Sequence, residues 1–236
     1  MGIFRTFFET APVDGIASSG SAVRGPRTAV SAQPVVREYA FKRLLDLTLA
    51  TVGLFVSAPL WLVIACAIKL EDGGPVFYIQ PRWGRDKRPF KVYKFRSMVW
   101  DADGAVQADQ NDPRVTNVGR FLRATSLDEM PQLVNIWLGQ MSWVGPRALP
   151  INEKQLNETH YVPDDAIPGF ELRCAVRPGL TGVAQIFAPR DVPRRHKFQY
   201  DCFYVKRQSL WLDLKLIAVS FWISFKLRWE ERGPKI

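Results

Sequence analysis

The chain has 236 residues, 47% of them hydrophobic, and 32 Lys and Arg against 23 Asp and Glu leave a formal charge of +9. The length suits one domain or one domain with tails, and the apolar content excludes disorder throughout. The basic excess points to a polyanionic partner: nucleic acid, an anionic membrane or a phosphorylated substrate.

Three widely spaced cysteines (Cys66, Cys174, Cys202), with no Cys-x-x-Cys among them, read as reduced thiols. With only His160 and His196 present, a histidine-rich zinc site is not expected, and any metal would be a hard ion on carboxylates. In chain order, residues 1–36 come first and read as a disordered N-terminal tail. Residues 10–34 are rich in Ala, Ser, Pro, Gly and Val and show neither helical nor strand period. The myristoylation-like start, Met1 to Thr6, is short enough to be coincidental. No apolar stretch opens the chain as a cleavable signal would. The domain proper is expected over 37–236.

Leu47 to Ile68 are 22 consecutive uncharged residues between Asp46 and Lys69. As a straight helix they would measure about 33 Å, enough to cross a bilayer core. A buried soluble helix, a simple span and a re-entrant hairpin are the three readings. Pro59 removes one backbone hydrogen bond and bends a helix there. Basic residues flank both ends (Arg37, Lys42, Arg43; then Lys69, Arg82, Arg85, Lys87, Arg88), and positive charge favours the cytoplasmic side. A re-entrant helix over 42–70, kinked at Ala58-Pro59, satisfies both ends.

From Arg82 to Arg96, seven of fifteen residues are Lys or Arg, interleaved with Trp83, Phe90, Tyr93 and Phe95. Such a mixture holds single-stranded nucleic acid, or a diphosphate with a stacked base, or lipid phosphates. No nucleic-acid module is recognisable, and the membrane segment favours the last two. Residues 90–96 look extended. Asp101-Ala102-Asp103 is a DxD tripeptide of the kind that binds metal in glycosyltransferases, but acidic surface loops produce it often, and the turn-rich surroundings favour a solvated loop.

Ser126-Leu127-Asp128-Glu129 fits a capping box, with Pro131 tolerated near the helix start. Asp128 and Glu129 would then sit in the first turn, where the dipole stabilises carboxylates. Capping alone is one reading. Nearby cations (Arg120, Arg123, Arg147, Arg177) suggest another, phosphoryl transfer, in which one carboxylate attacks phosphorus and its neighbour holds Mg2+. Near the end, Asp213, Ser220, Ser224 and Arg228 form one polar stripe on Leu210–Trp229. An interfacial amphipathic helix over 210–229 or packing on the core would each account for it.

Taken in order, several motifs resemble the bacterial sugar transferases, or monotopic phosphoglycosyl transferases, from about Tyr39 to Leu227. They are Lys42-Arg43-x-x-Asp46, Lys94-Phe95-Arg96-Ser97-Met98, the run from Ser126 to Leu133, Met141-Ser142-x-Val144-Gly145-Pro146-Arg147, and Arg177-Pro178-Gly179-x-Thr181-Gly182. The resemblance implies a small helix-rich α/β (α+β) catalytic domain at the cytoplasmic face of the bacterial inner membrane, held monotopically by the re-entrant helix. It implies Mg2+, a UDP-sugar donor, undecaprenyl phosphate as acceptor and membrane lipids as surroundings; no nucleic acid is expected, and a homodimer is left open. Asp128 would be the nucleophile that forms a covalent phosphosugar and releases UMP, with Glu129 on Mg2+ or the acceptor. Arg123 and Arg147 match phosphate-binding arginines, and Lys94, Arg96, Arg120 and Arg177 join them as phosphate-binding candidates. Departures from the family pattern include Ala58 before Pro59, Gln140, Ala148, Val183 and Phe187 to Arg190. They leave the reaction class intact and the sugar open. Rival readings are a DxD glycosyltransferase that releases UDP and a membrane scaffold that releases neither nucleotide.

Overall fold

The computed structural model describes residues 36–102, 112–151, 162–189 and 192–229. Most of the expected tail therefore lies outside the described residues, as does Asp103 of the DxD. The architecture is helix-rich with two small sheets: helix α1 (Lys42–Asp72), strands β1 (Phe77–Trp83) and β2 (Pro89–Phe95), helices α2 (Asn117–Thr125) and α3 (Gln132–Trp137), strand β3 (Ser142–Val144), helix α4 (Phe170–Cys174), strand β4 (Gly179–Thr181), and helices α5 (Val183–Phe187), α6 (Arg194–Arg207) and α7 (Leu210–Phe225). β1 and β2 form an antiparallel hairpin pairing Phe77 with Phe95 and Trp83 with Pro89. β3 and β4 pair in parallel, Ser142 opposite Gly179 and Val144 opposite Thr181. Their approach requires glycine: a Cβ on Gly179 would lie 2.0 Å from the Gly145 nitrogen.

α1 is the one helix among the described residues long and apolar enough to cross a membrane. It runs through Pro59 as a single helix of 31 residues, about 46 Å if straight. Its first turn is tied to the domain. Lys42 donates to Asp213 at 2.6 Å, Arg43 donates to the Ile136 carbonyl at 2.7 Å, and Asp46 accepts from Ser142 Oγ and the Trp143 N–H at 2.9 Å each. Its last turn is tied to the same domain. Asp72 takes a two-pronged bond from Arg96, and Glu71 accepts the otherwise orphaned N–H groups of Asn117 and Val118 that open α2. Ile64 and Ile68 join Phe95 and Leu122 in a core cluster, while Val52, Phe55, Val56, Leu62 and Val63 stay exposed.

α7 is amphipathic with its polar stripe turned inward. Asp213 is fully buried and accepts from Lys42, Tyr39 and Tyr204, and Ser220 bonds Thr181. Trp211, Phe221, Trp222 and Phe225 point outward, each more than half exposed. A helix facing water would do the reverse. An outward apolar face on both α1 and α7 is a surface made for something other than water.

The capping box does not form. Ser126 adopts a left-handed conformation (φ 59°, ψ 19°) and its side chain makes no cap bond. It closes α2, with its backbone N–H on the Arg123 carbonyl, and the chain then turns through a short 3₁₀ segment, Leu127–Glu129, before α3. In this region it is α2 that carries a side-chain N-cap, where Thr116 Oγ1 accepts the Gly119 N–H at 2.9 Å. Gly119, within 117–125, obscured that helix in the sequence.

Candidate active site

The left-handed Ser126 redirects the chain between α2 and α3, and the tight turn after it presents two acidic side chains in succession. Asp128 is buried, 8% exposed. Glu129 accepts from Lys94 Nζ on β2. Burial disfavours the Glu129 charge, but Lys94, Arg147 and Arg82 outweigh it and hold the carboxyl down at about 2. Glu129 is therefore an anion across the physiological range.

Both carboxylates line a cavity of about 800 Å3, a size ordinary for a small-molecule site. Lys94, Arg96, Arg123 and Arg147 line it with them. So do Leu49, Val52, Gly53 and Val56 from α1, and Ile217, Ser220, Phe221 and Ser224 from α7. One cavity thus joins a cationic wall, suited to a diphosphate, to an apolar wall from α1 and a mixed wall of Ile, Phe and Ser from α7.

The remaining candidates sit elsewhere or are engaged. Arg96 lines the cavity with its fork on Asp72. Arg177 donates to Glu38 and to the Gly139 carbonyl, which ties the start of the domain to the α3–β3 turn, and it does not line the cavity. Arg120 is exposed on α2 and also outside the lining, as are Ala58 and Pro59 on α1. The lining includes residues that sequence reasoning missed as site residues: Arg82, which donates to the Ala148 carbonyl at 2.7 Å, and Gln185, Arg194, Lys197 and Asp201. Arg82 belonged to the basic-aromatic stretch and so carried a signal. Asp201 carried none, being a single acid in an unremarkable helix.

Residues 37–227 match the family described as bacterial sugar transferase. The chain belongs to that family. Over 192 residues it is 42% identical to a UDP-glucose:undecaprenyl-phosphate glucose-1-phosphate transferase of Klebsiella pneumoniae, covering 78% of this chain and 40% of the relative. It is 39% identical to exopolysaccharide production protein PSS of Rhizobium leguminosarum bv. phaseoli, covering 76% and 92%. It is 40% identical to a UDP-N-acetylgalactosamine-undecaprenyl-phosphate N-acetylgalactosaminephosphotransferase of Aeromonas hydrophila, covering 76% and 42%. The chain thus spans about two fifths of the length of the Klebsiella and Aeromonas relatives and nearly all of the Rhizobium one. These relatives' names differ in sugar and agree on the lipid wherever a substrate is printed.

Proposed function

We propose that this bacterial sugar transferase moves a sugar 1-phosphate from a UDP-sugar to undecaprenyl phosphate and releases UMP, as the initiating step of a polysaccharide or glycoconjugate. The observation that carries the proposal is the shared cavity, in which Asp128 and Glu129 face cations on one side and apolar helix surface on another. In the first half-reaction an Asp128 carboxylate oxygen attacks the sugar-bearing phosphorus, and the bond from that phosphorus to the bridging oxygen breaks. UMP leaves with the bonding pair. In the second, an oxygen of the lipid phosphate attacks the same phosphorus and Asp128 departs as a carboxylate. Lys94, Arg123 and Arg147 hold the phosphate oxygens while charge shifts between them.

Among the described residues no group of three or more His, Cys, Asp or Glu forms a metal cage. Mg2+ needs none, since it binds through one or two carboxylates with substrate phosphates and water. Asp128 and Glu129 fit as its protein donors, Glu129 being ionised; when bound, Mg2+ would neutralise diphosphate charge.

The outward apolar faces of α1 and α7 support a monotopic placement on the inner membrane, with the cavity at the cytoplasmic side. Both ends of α1 pack on one domain, which favours a re-entrant helix over a span with its ends on opposite faces. Identifying the nucleotide product tests the reaction: UMP supports sugar-phosphate transfer, whereas UDP would mean transfer of the sugar alone.

A further inference from the structure

Arg147 has an exposed side chain on an immobilised backbone. Its peptide follows Gly145 and Pro146, where the β3 chain is pressed against β4 too closely for any Cβ, and it bridges to Gly179. One buried ion pair then lies against it. Arg173 on α4 donates through Nη2 to the Arg147 carbonyl, and Asp201 on α6 lies close to the Arg147 backbone, which helps to stabilise its carboxylate. The two close on each other, with Arg173 Nε to Asp201 Oδ2 at 3.0 Å and both side chains 3% exposed. The Arg173 guanidinium also rests 4.6 Å from the Phe198 ring centre.

We infer that the Arg173–Asp201 pair is a positioning device that aims the Arg147 guanidinium at the donor diphosphate, an inference that rests on the transferase reading. Burying two charges costs free energy that apolar side chains of similar volume would not. Here a second donor of the Arg173 fork goes to the carbonyl of a single residue, one that lines the cavity. Lysine could not replace Arg173 in this role: a compact ammonium reaches the carboxylate or the carbonyl, but lacks the rigid fork that spans both.

The test is a double-mutant cycle on UMP release from a panel of UDP-sugars by the membrane-reconstituted full chain. Arg173→Lys should lower kcat/KM on the order of a hundredfold, the scale of an ångström-level misplacement. Arg147→Ala in the Arg173→Lys background should add less than about twofold, because both changes remove one function. Additive losses, or full activity in Arg173→Lys, would overturn the inference. Should thermal melting show Arg173→Lys unfolded, Asp201→Asn carries the same cycle with side-chain volume kept. Hydrogen exchange at the Gly179 amide, which donates to the Pro146 carbonyl in the peptide that joins Pro146 to Arg147, measured without substrate, separates the two possible failures. About tenfold faster exchange in either variant supports the clamp, and unchanged exchange overturns it. A wild type that releases no UMP with any donor sinks the transferase reading and with it the assigned target of Arg147, whatever the exchange shows.

Discussion

Lys94 on β2 donates to the carboxylate of Glu129 in the turn before α3, joining the basic-aromatic hairpin to the acidic pair across 35 residues of sequence. The bond explains how a largely buried glutamate stays charged. Removing the cation should therefore be visible in the pH dependence of the reaction.

Lys94→Met leaves burial as a larger share of what acts on Glu129, and burial raises a carboxyl pKa. With Lys94 present the carboxyl sits at about 2, below its ordinary 4.5, so its charge is kept until pH falls through 2. In the variant the acid limb of the kcat/KM profile should move to higher pH and the plateau should fall about ten- to hundredfold. An acid limb in the wild-type position would remove Lys94 from this role.

The buried Lys42–Asp213 pair fastens the start of α1 to α7, with side chains 2% and 1% exposed. Lys42→Met leaves Asp213 with only its tyrosine donors among these contacts and should destabilise the protein by about 3–5 kcal/mol, the usual cost of breaking a buried pair. Lys42→Met with Asp213→Leu should recover most of that loss. Thermal unfolding in one detergent measures both, and a double variant no more stable than the single would contradict the account.

For topology, cysteines introduced at Arg43 and at Arg85 should both be labelled by an impermeant reagent from the cytoplasmic side alone. Labelling from opposite sides would establish a span. Pro59→Leu restores a backbone donor and should bias α1 toward spanning.

How much of this was legible in the sequence depended on how local each signal was. The uncharged run from Leu47 to Ile68, the extended 90–96 stretch and the stripe on 210–229 are periodic or compositional, and each reappears as α1, β2 or α7. The sequence offers Asp128, Glu129, Lys94, Arg123 and Arg147 as candidates, and all five line one cavity. The capping box failed because Ser126 takes a left-handed conformation that a Ser-x-x-Glu spacing does not reveal. Arg177, a phosphate-binding candidate by sequence, lies outside the lining and meets Glu38, 139 residues away, a pairing that no local pattern reveals. Arg173 with Asp201 was invisible for the same reason: pairing across 28 residues and two helices leaves no short-range pattern. Which face of α7 would meet the protein was likewise undecided until Lys42, Tyr39, Tyr204 and Thr181 supplied partners for its polar stripe.

The most direct test of the central claim is intact-protein mass spectrometry after incubation with Mg2+ and a UDP-sugar, with no lipid acceptor. Two-step transfer predicts UMP release of up to one per active site and a phosphosugar mass on the peptide holding Asp128. Asp128→Asn, which keeps the side chain's size without its nucleophilic carboxylate, should abolish both while the protein stays folded and membrane-bound. Glu129→Gln should be slow and less dependent on Mg2+, with its label still on Asp128. UMP that appears only once undecaprenyl phosphate is added, with no adduct on Asp128, would contradict the covalent mechanism.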